Sequence, residues 1–157
     1  MQIRRFTNND IKWIESFEVL KEDRKFTKTP LHNIELAQED SERHPIIVTQ
    51  NDRCVAYFTL HEGRGVIPYS DNPQAIFFRS FSVDAKHRGQ GIGKSIIDAL
   101  PHFIEQEFPI MNEIVLTVNT DNHKAMRLYE NAGYNYTGDA SLEGRPVYIM
   151  SYKINKT

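Results

Sequence analysis

The chain has almost no cysteine. Cys54 stands alone among 157 residues, so no internal disulfide staples the fold, and a reducing, cytoplasmic setting is the expectation. Basic charge is not in excess: 19 Lys and Arg face 21 Asp and Glu, for a formal net charge of −2. That balance excludes the broad positive field of a nucleic-acid binder. Apolar runs fall far short of the roughly 20 residues that a membrane span takes. No apolar signal region follows Met1-Gln2-Ile3-Arg4-Arg5-Phe6. The six histidines show no metal-ligand spacing, so no metal site is expected. Repeats, low-complexity tracts and linkers are missing as well. The one loose region, 62–73, holds two glycines, two prolines and an asparagine and reads as a surface loop between strands. The hydrophobic content of 39% supports a packed core, and the length suits one domain, 1–157.

What is present divides into strands and helices. The alternating segment 2–6 predicts a first strand. Residues 8–20 place Ile11, Ile14 and Phe17 on one helical face, with Asn8 or Asn9 as cap. Thr29-Pro30 is an N-cap followed by proline at the first helical position, which predicts a second helix over 30–42. Strands over 45–49 and 54–61 flank the turn pair Asn51-Asp52 and make a hairpin. The run 74–83 predicts a central strand, and 91–108 a long helix. Pro101 lies inside that helix and costs about 3 kcal/mol there. Ile92, Ile96, Leu100, Phe103 and Ile104 keep the period across it, so one bent helix is expected. A buried strand over 113–118, a helix over 121–132 closed by Gly133, and strands over 134–137 and 146–153 complete the order β-α-α-β-β-β-α-β-α-β-β.

The most informative stretch is Arg88-Gly89-Gln90-Gly91-Ile92-Gly93-Lys94, which joins the central strand to the long helix. The first turn of a helix has N–H groups without intrahelical acceptors and the positive end of the dipole. Glycines let those donors close on an anion. The stretch therefore points to a phosphorylated ligand, with a plain tight turn as the alternative. It is not a Walker loop: Gly93-Lys94-Ser95 supplies the end, but Arg88 stands where the first glycine belongs. Nor is it the dinucleotide pattern G-x-G-x-x-G, because the third of glycines 89, 91 and 93 comes one residue early.

Arg88-x-x-Gly91-x-Gly93 resembles the R/Q-x-x-G-x-G/A motif of the GNAT family of N-acetyltransferases. A second match follows. The strand Glu113-Ile114-Val115-Leu116-Thr117-Val118 leads through Asn119-Thr120-Asp121-Asn122 into Asn122-x-x-Ala125-x-x-Leu128-Tyr129-Glu130-x-x-Gly133-Tyr134. This is similar to the family's strand, its helix bearing asparagine and tyrosine, and its Gly-aromatic stop. The resemblance covers 74–153 in detail and the rest in outline. It implies the GNAT fold, of α/β (α+β) class. That fold is a central mixed, mostly antiparallel twisted sheet flanked by about four helices, with acetyl-CoA bound where the fourth and fifth strands splay apart.

Roles follow from the resemblance. The backbone of Arg88, Gly89, Gln90, Gly91, Ile92, Gly93 and Lys94 would hold the pyrophosphate of acetyl-CoA. Phe81, Ser82 and Val83 would pair their backbone with the pantetheine arm like an added strand, whether or not Phe81 and Val83 are also core. A backbone N–H at or near Val83 would polarise the thioester carbonyl. Tyr129 would protonate the leaving thiolate, as a phenol of pKa about 10 is a neutral donor at neutral pH. From the residues alone, Tyr129 also fits an apolar helical stripe with Ala125, Leu128 and Ala132, hence a core position. Asn122 is either a helix cap or a cofactor contact. An alkylammonium of pKa about 10.4 must lose a proton to react, but the base is not legible. Phe78-Arg79-Ser80-Phe81-Ser82 has arginine and serines where polyamine-acetylating relatives often carry a strand glutamate. Glu22, Asp23, Glu35, Glu39 and Asp40 read mostly as solvated charges, and Cys54 as a buried strand residue without an activating partner.

The expected activity is transfer of acetyl from acetyl-CoA directly to a primary amine of a small molecule. Leu100-Pro101, Phe108-Pro109 and Gly144-Arg145-Pro146 resemble a bacterial diamine and spermine/spermidine acetyltransferase-like subgroup, so a polyamine is one expected acceptor. The acid-rich segment 35–42 would then line its pocket, or else form an exposed helix face. Arg79, if aimed into the pocket, would instead favour an acceptor bearing carboxylate or phosphate. A protein N-terminus or lysine as acceptor, and a non-catalytic acyl-CoA-binding sensor, are the alternatives. Relatives are often dimers, which makes a homodimer the oligomeric expectation. No nucleic-acid or membrane partner is expected.

Overall fold

The computed structural model describes residues 1–19 and 28–154. Its elements are β1 (Gln2–Arg5), α1 (Ile11–Glu15), α2 (Pro30–Glu39), β2 (Arg43–Gln50), β3 (Arg53–His61), β4 (Ala75–Val83), α3 (Ile92–Glu107), β5 (Glu113–Asn119), α4 (His123–Asn131), β6 (Asn135–Leu142) and β7 (Arg145–Lys153). This is the expected order. The hydrogen-bonded strand order is β1-β2-β3-β4-β5-β7-β6. The β1–β2, β2–β3, β5–β7 and β6–β7 pairs are antiparallel and β4–β5 is parallel, so the sheet is mixed and mostly antiparallel. The chain divides into two compact units, Met1–His61 with Phe78–Ile96, and Glu62–Phe77 with Ile97–Thr157.

In the first unit the β2–β3 hairpin turns at Asn51 and Asp52, with φ of 53° and 61°. Positive φ at both central residues makes the turn whose twist suits paired strands, and Asn and Asp tolerate it. Ile47, Cys54 and Tyr57 pack with Ile14 of α1 and Ile34 of α2, with Phe6, Trp13 and Phe17 around them. The entry to α1 differs from expectation. A 3-10 turn over Asn8–Asp10 precedes it, and the N-cap of that turn is Thr7 rather than Asn8 or Asn9. The Asp10 carboxylate accepts from the Thr7 N–H at 2.8 Å and the Thr7 hydroxyl at 3.2 Å. Arg4 of β1 clamps both carboxylate oxygens at 2.9 and 2.7 Å and holds Asp10 below its ordinary pKa. A carboxylate paired to a cation is a stronger acceptor than an asparagine amide, and only the strand brings that cation near. α1 ends at Glu15; Leu20, Glu22 and Asp23 lie outside the described residues. α2 begins as expected, with Thr29 Oγ1 accepting from the His32 N–H at 3.3 Å. It ends at Glu39 rather than 42, because Asp40 is extended and its carboxylate accepts from the Glu42 N–H and Arg43 Nε at 3.0 and 3.2 Å.

In the second unit the parallel ladder covers Ala75–Phe77 against Glu113–Val115. Val66, Ala75, Phe77, Val115 and Ile149 form a core, with Tyr69 packed on it. Residues 62–73 are therefore more than a surface loop, since Val66 is buried within that core. Ser70 and Asn72 also donate to Glu113 at 3.3 and 3.1 Å. Glu113, buried at the start of β5, accepts further from the Ser151 hydroxyl and from Lys153 Nζ, the latter at 2.9 Å. Burial by itself would raise the pKa of this carboxyl, but hydrogen bonds from Ser151, Lys153 and Asn72 outweigh it and hold the group below its ordinary range. α3 runs through Pro101 as one helix. β6 is longer than the expected 134–137 and reaches Leu142, where Glu143 and Gly144 (φ 52° and 79°) make a second tight turn. Its mostly exposed residues lack the apolar alternation that marks a strand in sequence.

Asp10→Ala should cost about 2 kcal/mol, the loss of a cap and of a charge-assisted pair, read as a lower urea midpoint at unchanged slope. A loss below about 0.5 kcal/mol would reduce the cluster to surface decoration. For Glu113, a pKa lower in the folded than in the unfolded chain adds stability above the ordinary value, and that stability fades as pH falls through the folded one. Glu113→Gln should be less stable than the native chain near neutral pH, and the gap should narrow below the ordinary carboxyl pKa of 4.5. A gap independent of pH across urea melts would contradict this.

Candidate active site

β4 is buried and apolar through Phe78 and then changes character. Ser80 has φ 58°, in the left-handed region that costs a non-glycine residue about 1–2 kcal/mol. It separates Arg79 from Phe81, Ser82 and Val83. The Phe81 ring lies 6.5 Å from that of Phe58 and 5.3 Å from that of Phe78, centre to centre. Its edge is 3.9 Å from where a Cβ on Gly93 would stand. Two residues singled out in sequence, one on the strand and one on the helix, thus meet. Ser82 is buried, and its hydroxyl has no hydrogen-bond partner among the described residues. The sequence had assigned Ser82 a backbone role only.

The connection from β4 to α3 is anchored before it reaches the glycines. The Asp84 N–H donates to the Val55 carbonyl and the Ala85 N–H to the Glu18 carbonyl, both at 2.8 Å. The buried Asp84 carboxylate accepts from the Lys86 N–H at 2.9 Å, and Lys86 Nζ reaches the Ser16 carbonyl at 2.9 Å. Sequence reasoning missed Asp84; a short acceptor just ahead of a turn was the available signal. Gly89 and Gly91 have φ of 79° and 73°, and no described atom lies within 4 Å of a Cβ on either. Glycine is needed there for backbone conformation, and the space beside it is open. Gly93 is helical, and a Cβ on it would make ordinary contact with Phe81. The first bond of α3 runs from the Ser95 N–H to the Gly91 carbonyl at 3.1 Å. The amides of Ile92 and Gly93 precede it and have no acceptor within the helix. Arg88, Gly89, Gln90, Gly91 and Lys94 are exposed, and Ile92 is buried as the anchor of the helix start. Outward amides beside an open glycine face fit the phosphates of acetyl-CoA.

The second unit carries the other residues singled out in sequence. Asn122 caps α4: its Oδ1 accepts from the Ala125 N–H at 3.2 Å. Tyr129 is buried, and burial pushes its phenol above the ordinary value, so it keeps its proton and can donate. Its ring stacks edge-on against Tyr134 at 5.9 Å, and Tyr134 lies 5.3 Å from Tyr152. The chain turns there at Gly133, with φ 99°; a Cβ on it would come within 3.3 Å of the Tyr152 ring. Core packing and a donor hydroxyl therefore coexist in Tyr129.

Glu35 and Glu39 are exposed on α2, while Asp40 is engaged by Arg43. Cys54 is buried and its thiol is pushed up to about 11, too high for a nucleophile. Among the described residues no group of His, Cys, Asp or Glu could hold a metal ion, and no helix is long and apolar enough to cross a membrane.

The profile of the Acetyltransferase (GNAT) family matches residues 10–134. The N-acetyltransferase YbbJ of Bacillus subtilis is 34% identical over 122 residues, 77% of this chain and 76% of that protein. A spermine/spermidine N(1)-acetyltransferase of the same organism is 26% identical over 74 residues, 47% of this chain and 48% of its own length. The spermidine N-acetyltransferase of Vibrio cholerae, solved with CoA and spermine, superposes with a TM-score of 0.73 at 16% identity, covering 98% of this chain and 95% of that one. The chain belongs to the GNAT family and is an acetyl-CoA-dependent N-acetyltransferase.

Gly91→Ala should destabilise the fold by about 1–2 kcal/mol, because the left-handed backbone is strained for any side chain, and should weaken acetyl-CoA binding. Gly93→Ala should leave the urea midpoint nearly unchanged. Equal losses in the two variants would contradict the distinction between them.

Proposed function

We propose that this enzyme moves acetyl from acetyl-CoA directly to a primary amine of a small molecule. The observation that carries the reading is the strand-to-helix segment, in which the left-handed Ser80, the positive-φ glycines and the first bond of α3, from the Ser95 N–H to the Gly91 carbonyl, follow one another along the chain. In this reading the loop 88–94 holds the pyrophosphate, and the backbone of Phe81, Ser82 and Val83 pairs with the pantetheine arm. An N–H at or near Val83 polarises the carbonyl, where a preorganised donor acts on the developing oxyanion. Tyr129 returns a proton to the thiolate, and Asn122 contributes at the head of its helix. The names of the spermine/spermidine relatives support a small acceptor and make polyamines the first amines to try. A reducing cytoplasm suits a chain whose one thiol is buried.

Free-thiol release from acetyl-CoA tests this with spermidine, spermine, putrescine, amino acids, aminoglycosides and short peptides. Turnover of a small amine is expected. Turnover of peptides alone would move the acceptor to a protein N-terminus or lysine, and acetyl-CoA binding without any turnover would make the chain a sensor. Tyr129→Phe should lower kcat by about 100-fold with acetyl-CoA affinity retained. An unchanged kcat would return Tyr129 to the core alone.

A further inference from the structure

The residues just ahead of the glycine loop are tied from several sides. Asp84 follows β4, is buried, and caps a 3-10 turn over Ala85–His87. Its Oδ1 accepts from the Lys86 N–H at 2.9 Å, and its carbonyl accepts from the His87 N–H at 2.8 Å. Its Oδ2 lies 3.4 Å from Lys86 Nζ. Lys86 Nζ also donates to the Ser16 carbonyl at 2.9 Å. The N–H groups of Asp84 and Ala85 donate to the carbonyls of Val55 on β3 and of Glu18, both at 2.8 Å. Asp84 thus fixes the turn from within, and Lys86 ties it to the chain just after α1. Arg88 leaves the turn extended, and Gly89 and Gly91 follow with positive φ.

We infer that Asp84 and Lys86 are positioning residues for acetyl-CoA, acting through the loop 88–94, which they hold in its binding conformation before the cofactor arrives. The inference rests on the reading of 88–94 as the phosphate loop. The sign of the Asp84 charge supports it. A carboxylate a few residues ahead of a loop that takes phosphates repels them, and burying it costs desolvation that only its own partners offset. What Asp84 supplies is therefore geometry: its oxygens meet one N–H of the turn and the ammonium that reaches Ser16. Lys86 would attract an anion from any rotamer, yet its ammonium is spent on the Ser16 carbonyl and Asp84. A loop held in advance loses less conformational freedom when the ligand binds, so the gain appears as cofactor affinity.

Titration calorimetry of acetyl-CoA binding, which needs no acceptor, tests this on Asp84→Asn and Lys86→Met, with Gly91→Ala as the loop variant. Asp84→Asn removes a negative charge, so a direct electrostatic role predicts tighter binding and a positioning role predicts weaker binding. The Kd should rise by about 5- to 20-fold in both Asp84→Asn and Lys86→Met, while kcat at saturating acetyl-CoA stays within about twofold of native. The Lys86 side chain is 51% exposed, so Lys86→Met should keep the fold even where Asp84→Asn loses stability. Its ratio to native should persist from about 0.05 to 0.5 M salt, because screening removes a bare charge effect and leaves a positioning one. Lys86→Arg, which keeps a donor and the charge, should recover most of the affinity. Tighter binding in Asp84→Asn, native affinity in Lys86→Met, or a Lys86→Met loss that vanishes at high salt overturns the inference, and the loop reading stands if Gly91→Ala still weakens binding. Unchanged affinity in Gly91→Ala overturns both.

Discussion

The amides at the head of α3 need acceptors that the helix cannot supply, and the segment leading to them is anchored to the rest of the first unit. The carbonyl of Gly91 opens the helical ladder, which requires the chain to arrive from the left-handed region, where a side chain would be strained. The arrival is aimed by Asp84, Ala85 and Lys86, whose bonds run to Val55 of β3 and to Glu18 and Ser16 just after α1. The Phe81 ring lies beside Gly93, 3.9 Å from where a Cβ would stand. In the proposed reading, a phosphate of acetyl-CoA supplies the acceptors for those amides.

Burial of ionisable groups is resolved in opposite ways in the two units. Glu113 stays charged because Ser70, Asn72, Ser151 and Lys153 all donate to it. His61, buried at the end of β3, is held neutral instead, because burial, Arg43 and Arg79 outweigh Asp40 and Glu42. The carboxylate ties a loop and two strands together, whereas the neutral ring lies between Arg79 Nη1 at 3.3 Å and Asp40 Oδ2 at 3.4 Å. Ser82 and Tyr134 are a third case, buried hydroxyls without partners among the described residues.

The local signals in the sequence translated well where a few neighbouring residues carry the physics. Thr29-Pro30 caps α2, Asn51-Asp52 turns the hairpin, and Gly133 stops α4, because each needs only its own backbone conformation. The GNAT motifs translated for the same reason, since loop and helix start are contiguous. Features built from distant residues did not translate. Thr7 and Asp10 form the cap before α1 only because Arg4 lies beside them on a strand. Residues 62–73 read as loose because Glu113, which holds Ser70 and Asn72, is 43 and 41 residues away from them. β6 was cut short because an exposed edge shows no apolar alternation.

By itself the sequence determined the order of elements and the glycine turn, which follow from periodicity and from glycine at fixed spacing, while the family was legible as a resemblance carried by two motifs. The tertiary structure alone decided which charges survive burial and that Tyr129 packs edge-on against Tyr134. Desolvation and pairing depend on which groups meet across the fold, and that is a property of contacts that spacing along the chain does not record.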